Sequence, residues 1–147
     1  MTTTQYTAEE AGIRERIDKL VVAVRAMDLE SVMSMYAPDI VSFDIEPPLE
    51  HVGAEAKGKN WARVFALYQR PLGYEIRDLA IIVGDNVAFG HSLNRISGTL
   101  KSGKRNDAWV RGTISLRKTS GRWLIAHDHV SVPLDMEKGA ALLNLRP

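Results

Sequence analysis

The residues of this sequence best suited to chemistry are three ionisable side chains in a row, His127, Asp128 and His129, inside a predicted strand from Arg122 to Val132. Side chains alternate between the two faces of a strand. One face then holds Leu124, Ala126, Asp128, Val130 and Val132, and the other holds Trp123, Ile125, His127, His129 and Ser131. A carboxylate in an apolar row is costly unless it is paired, so Asp128 marks a candidate site.

A second carboxylate, Asp44, follows a short β-branched run that starts at Ile40 and ends before Pro47 and Pro48. Two carboxylates that share a low-dielectric space cannot both ionise freely. We therefore predict a pocket in which Asp44 and Asp128 are catalytic, with Asp44 as general base and Asp128 as acid or orienting group. The alternatives are a solvated Asp44 at a strand end and a structural Asp128 that accepts a hydrogen bond from Arg111, Trp109 or a backbone amide.

The two histidines lie on the other predicted face, which is mixed in polarity and holds an alternative polar site or interface: Trp109, Arg111, His127 and His129. His127 and His129 could coordinate a metal with Asp44 as third ligand. The sequence marks no further convergent ligand, so we favour interface or core hydrogen bonding and predict neither a metal nor a cofactor.

Several other residues are predicted to line the pocket, although most of them are equally typical of a core. They are Tyr36, Trp61, Phe65, His91, Asn94, Ile114 and Val130. A lone histidine on an apolar strand face is usually a buried, hydrogen-bonded core residue, which is the competing interpretation of His91.

The elements that would position these residues follow from periodicity and capping signals. Thr7 and Glu10 have capping-box spacing and predict a helix from there to about Met27. Asp28 predicts the start of a short second helix, with Tyr36 on its apolar side and an end at Pro38. A third helix is predicted from Ala54 to Arg70, followed by four strands that short turns connect: 74–83, 87–99, 107–118 and 122–132.

Helices followed by strands predict one α+β domain over residues 1–147, with helices on one face of an antiparallel sheet. The core of this domain covers about residues 8–133. The tail, residues 134–147, is apolar and is expected to pack on its own domain or on a partner subunit. If the apolar faces of the neighbouring strands 107–118 and 122–132 lie on the same side of the sheet, the residues that face the helices are Ile114, Leu116, Leu124, Ala126 and Val130. The face opposite the helices is then uncovered, Ile125 included, which predicts a homodimer. The lysines and arginines of the third helix, Lys57, Lys59 and Arg63, are interpreted as solvated.

The amino-acid composition limits the classes of binding partner and the cellular compartment that we expect. Nineteen basic and eighteen acidic residues give a net charge of +1, so no long-range field favours nucleic acid or an anionic membrane. The absence of cysteine fits a cytoplasmic protein. The expected partner is a small-molecule ligand, with no nucleic acid and no membrane.

The order of elements and two segments resemble the nuclear transport factor two-like superfamily, and within it the SnoaL-like and ketosteroid-isomerase-like proteins. Tyr36 to Asp44 resembles the family segment that leads into the cavity. Gly121 to Ser131 resembles the final strand of SnoaL-like members and of the association domain of calmodulin-dependent kinase. The resemblance covers residues 8–133 and implies a cone-shaped fold, in which the N-terminal helices pack on a strongly bent antiparallel sheet that encloses a pocket.

The resemblance also implies a range of activities, from isomerases, cyclases, dehydratases and hydrolases to binding and assembly domains. Asp44 falls where a ketosteroid isomerase has its general base, whereas the two oxyanion-hole positions fall near Leu20 and near Ile114 or Thr113. The expected function is therefore binding of a small apolar carbonyl or polycyclic compound, with acid/base isomerase, cyclase or dehydratase chemistry. The alternative is a non-catalytic ligand-binding, dimerisation or assembly domain.

Overall fold

The structure, a computed structural model described for residues 6–147, has helices packed on one face of a sheet. The helices are α1 (Ala8–Arg25), α2 (Leu29–Met33) and α3 (Ala54–Leu67). The strands are β1 (Tyr36–Phe43), β2 (His51–Val52), β3 (Gly73–Val83), β4 (Val87–Thr99), β5 (Arg105–Thr119), β6 (Arg122–Ser131), β7 (Leu134–Asp135) and β8 (Ala140–Ala141). The predicted α+β fold is confirmed.

Six strands form one sheet in the order β2-β1-β6-β5-β4-β3, and β7 pairs with β8 separately. The predicted meander β3 to β6 is antiparallel throughout. β1 adds to it in parallel with β6, so the sheet is mixed and not wholly antiparallel, and it is not closed. The parallel pairing places the end of β1 beside the middle of β6, where the candidate residues lie.

Capping and packing explain the helices. The hydroxyl of Thr7 accepts a hydrogen bond from the amide of Glu10, and the carboxylate of Asp28 accepts one from the amide of Ser31, so both predicted N-caps form. One face of α1 is buried against the sheet, through Ile13, Ile17, Leu20, Ala23 and Val24. None of the helices over residues 6–147 is long and apolar enough to span a membrane.

The prediction for the segment after α2 was wrong. Tyr36 is the first residue of β1 and not the end of a helix, and Pro38 lies within that strand. A proline inside an edge-proximal strand costs one ladder hydrogen bond, and here the pairing with β6 is irregular between Tyr36 and Val41.

The predicted alternation along β6 was also wrong, because a β-bulge interrupts it. Leu116 pairs with Ile125 but Ser115 pairs with His127, so Ala126 is an extra residue. The bulge puts Trp123 and Ile125 in the core, together with Leu116, while Asp128 still faces the helices opposite Ile114. Leu124 and Ala126 do not join that core, and Ile125 is not on the uncovered face.

Candidate functional site

The centre of the site is Lys57, whose side chain is only 2% exposed. Its ammonium lies between the two predicted carboxylates, with Nζ 3.1 Å from Oδ2 of Asp128 and 3.3 Å from Oδ2 of Asp44. The structure therefore brings Asp44 and Asp128 together, and it adds a cation between them that was not predicted from the sequence. A buried cation offsets their charge.

Two polar side chains complete the coordination of this ammonium. Lys57 Nζ donates to the hydroxyl of Ser42 over 2.9 Å and to Oδ1 of Asn60 over 3.5 Å, and the Ser42 hydroxyl donates to Asp128. Asn60 in turn donates to Glu46 over 3.3 Å. Every member that is buried has a partner, which is what a buried ion pair requires to be tolerated.

Local geometry explains why these side chains meet. Lys57, Asn60 and Trp61 lie at i, i+3 and i+4 on α3, hence on one helix face. Ser42 on β1 lies beside Asp128 on β6 in the parallel pairing, so both side chains face the helix. Asp44 follows two residues after Ser42, which returns its side chain to the same side.

Aromatic rings wall one side of the cluster. Trp61 Nε1 donates to the hydroxyl of Tyr36 over 3.0 Å, and the ring of Trp61 lies 5.6 Å from that of Phe65 and 6.3 Å from that of Tyr74. Burial, and then the negative charge of Asp128, raises the pKa of Tyr36 well above its ordinary value. Burial likewise raises the pKa of Tyr74. Both phenols therefore remain neutral hydrogen-bonding groups at physiological pH.

The other predicted pocket residues separate into two groups. Asn94, Ile114 and Val130 lie on the sheet face that looks towards the helices and are half-buried. Asn94 accepts a hydrogen bond from Ser92 over 2.7 Å and lies against Gly112. His91 is exposed on the opposite sheet face, beside Thr113 in the neighbouring strand, so its predicted place in the pocket was wrong.

The alternative polar face, with Trp109, Arg111, His127 and His129, lies on the far side of the sheet from Lys57. Nδ1 of His127 donates to the backbone carbonyl of Val41 over 2.6 Å, and Arg111 donates to Ser131 over 3.1 Å. Arg111 is thus not the partner of Asp128. Residues 6–147 contain no group of three potential metal ligands.

An open concavity of about 600 Å³ adjoins the cluster at the end of β1. It is lined by the segment 43–49 and by His129. Asp44 belongs to both places, because it is one of the residues that line the concavity and its side chain, 20% exposed, contacts Lys57. Asp128 is 6% exposed and does not line the concavity, so Asp44 is the carboxylate that a small molecule could reach.

Lys57 was missed at the sequence level because a lysine in a basic segment was assigned to solvent. A signal was present. Lys57 lies four residues before Trp61 and so continues the apolar stripe formed by Trp61, Val64, Phe65 and Tyr68. A charged residue within an apolar stripe requires a buried counter-charge, and the two unexplained aspartates could have supplied it.

Comparison with known proteins follows this geometry. A family model for the SnoaL-like domain matches residues 13–135. The chain belongs to the SnoaL-like domain family. No curated protein matches the chain in a sequence comparison.

Solved structures share the fold of this SnoaL-like chain. An NTF2-like protein of unknown function from Pseudomonas putida KT2440 is 31% identical, with 98% of this chain and 100% of that chain covered and a TM-score of 0.87. A ketosteroid isomerase-like protein from Erwinia carotovora atroseptica is 24% identical, with 86% and 97% covered and a TM-score of 0.73. The association domain of C. elegans CaMKII is 16% identical, with 85% and 96% covered and a TM-score of 0.69.

Proposed function

We propose that this SnoaL-like protein binds a small apolar carbonyl or polycyclic compound in the concavity beside β1 and moves a proton on it through Asp44. The observation that carries the proposal is the double position of Asp44, which lines the concavity and is held by the buried Lys57. The volume of about 600 Å³ is within the range of small-molecule sites. Isomerase, cyclase and dehydratase chemistry all begin with such a proton transfer.

The exposure of each residue decides whether it can contact the ligand or only position a residue that does. The Asp44 carboxylate accepts a proton from the carbon next to the ligand carbonyl and returns it to another carbon or to a departing oxygen. Asp128 is buried, touches Lys57 and Ser42, and acts as a positioning residue rather than in contact with the ligand. The Lys57 ammonium fixes Asp44 through a charge-assisted contact and, because it is buried, is a second positioning residue.

Proton exchange on a model ketone tests this directly. We expect the protein to accelerate deuterium uptake at the benzylic position next to the carbonyl of 2-tetralone, measured by proton NMR in D2O. Asp44→Asn should lower that acceleration by about 100-fold or more, because a general base contributes on this scale. Asp85→Asn, at an exposed turn between β3 and β4, is the matched control and should leave the rate unchanged. Equal rates for wild type and Asp44→Asn would exclude Asp44 as the base.

A second candidate function, homodimer assembly, is favoured by the sheet face opposite the helices. Ile82, Val87 and Phe89 are exposed there, and Ile82 pairs with Phe89 across neighbouring strands. Large exposed apolar patches mark interaction sites, and a two-fold dimer would bury the same patch on both copies. The likeness to an association domain is compatible with assembly.

We expect a dimer mass by light scattering at micromolar concentration. Phe89→Arg should shift the protein to monomer, because it places a like charge opposite itself across a two-fold contact. Arg122→Glu, an exposed change at the start of β6, provides a surface-charge control that should remain dimeric. A monomeric mass for wild type would contradict the assembly proposal.

A further inference from the structure

The charge balance of the site restricts the ligand. The buried cluster contains one cation, Lys57, and two carboxylates, Asp44 and Asp128, so its formal charge is negative by one. Glu46 at the rim is matched by the Nε of Arg63 over 3.6 Å. The uncompensated negative charge therefore belongs to the pair of aspartates, and Asp44 is the one that reaches the surface of the concavity.

The residues that line the concavity also favour a positively charged ligand. Apart from Asp44, Glu46 and His129, its described lining residues are apolar: Phe43, Ile45, Pro47, Pro48 and Leu49. No lysine or arginine is among the eight residues described as lining it. A carboxylate or phosphate ligand would meet the uncompensated charge near Asp44, whereas a cation would meet that carboxylate and the ring of Phe43.

We propose that the carbonyl compound bound in this concavity is also an organic cation, with a protonated amine on a hydrocarbon skeleton of one or two rings and its ammonium against Asp44. This inference deepens the proposed function and rests on it for the location of the site. An ammonium beside Asp44 would give the cluster two cations and two carboxylates. The apolar lining would accept the hydrocarbon body, and Glu46 would add a second carboxylate at the rim.

Three probes on one skeleton separate charge from shape: 2-aminotetralin, 2-tetralol and tetralin-2-carboxylate, each titrated into the full chain by calorimetry. We expect the amine to bind about tenfold or more tightly than the alcohol, and the carboxylate most weakly, with the preference for the amine reduced by added salt. Asp44→Asn should bring the affinities for amine and alcohol together. That variant retains Lys57 and Asp128 as a one-to-one pair, so it is expected to fold.

Glu46→Gln provides an independent variant outside the buried cluster, and a smaller loss of the preference for the amine is expected there. Asp85→Asn should retain the full preference. Equal binding of amine and alcohol, or tightest binding of the carboxylate, would overturn the charge inference, and Asp44-dependent exchange of 2-tetralone would still support the proposed function. Amine binding that depends on Asp44 without any exchange activity would sustain the inference and reject the catalytic proposal. Failure of all three probes to bind would overturn it.

Discussion

Replacing Lys57 with methionine is expected to lower the free energy of unfolding by about 3 to 5 kcal/mol, because the change leaves the buried Asp128 and the partly buried Asp44 together without a cation. Methionine retains most of the length of the lysine side chain, so the loss reports charge and hydrogen bonding more than volume. Urea or thermal unfolding followed by circular dichroism measures it.

The matched control for this variant is Lys59→Met. Lys59 lies two residues along the same helix but is mostly exposed, and it pairs with Glu55 at the surface. Its replacement should leave the unfolding midpoint nearly unchanged, because exposed ion pairs contribute little. Equal effects of the two substitutions would show that Lys57 is solvated, as the sequence alone had suggested.

The second large effect is expected at Trp123, whose replacement with alanine should cost about 3 to 5 kcal/mol. Trp123 is 4% exposed and packs in the core, and its Nε1 donates to Glu9 over 2.6 Å. The variant would leave a large cavity between β6 and α1 and would remove the hydrogen bond to Glu9 at the start of the helix. Thermal unfolding of the purified variant measures the loss.

Trp109→Ala provides the comparison for Trp123. Trp109 lies half-buried on the opposite face of the sheet, near Arg95. Trp109→Ala should therefore lower the free energy of unfolding by less than half as much as Trp123→Ala. If both variants lost the same amount, the core position of Trp123 would be contradicted.

The sequence predicted the class of fold and the order of most elements, because those depend on local signals. The caps at Thr7 and Asp28 and the short turns between strands are encoded within a few residues. The bulge at Ala126 is different. It results from the pairing of β6 with both β1 and β5, and nothing in the alternation of β6 itself indicates it.

The two carboxylates that lie together in the candidate site were predicted from the sequence, and the lysine between them was missed. Asp128 was found because a carboxylate in an apolar row requires an explanation, and Asp44 because of its position before the prolines. Their true partner lies in another element, on α3, and its recognition depends on long-range packing of Lys57 against β1 and β6. His91 was misplaced because a strand with apolar residues on both faces does not indicate which face is inside.

Lys57 and its two carboxylates act as one unit in this structure, and a double-mutant cycle tests that coupling most directly. Lys57→Met, Asp128→Asn and the double variant are compared by equilibrium unfolding, with Lys57→Met and Asp85→Asn as the control cycle. We predict that the double variant loses less than the sum of its single variants, with a coupling energy of about 2 kcal/mol or more, because both charges leave together. The control cycle should be additive. Additivity in both cycles, within about 0.5 kcal/mol, would contradict the ion-paired site.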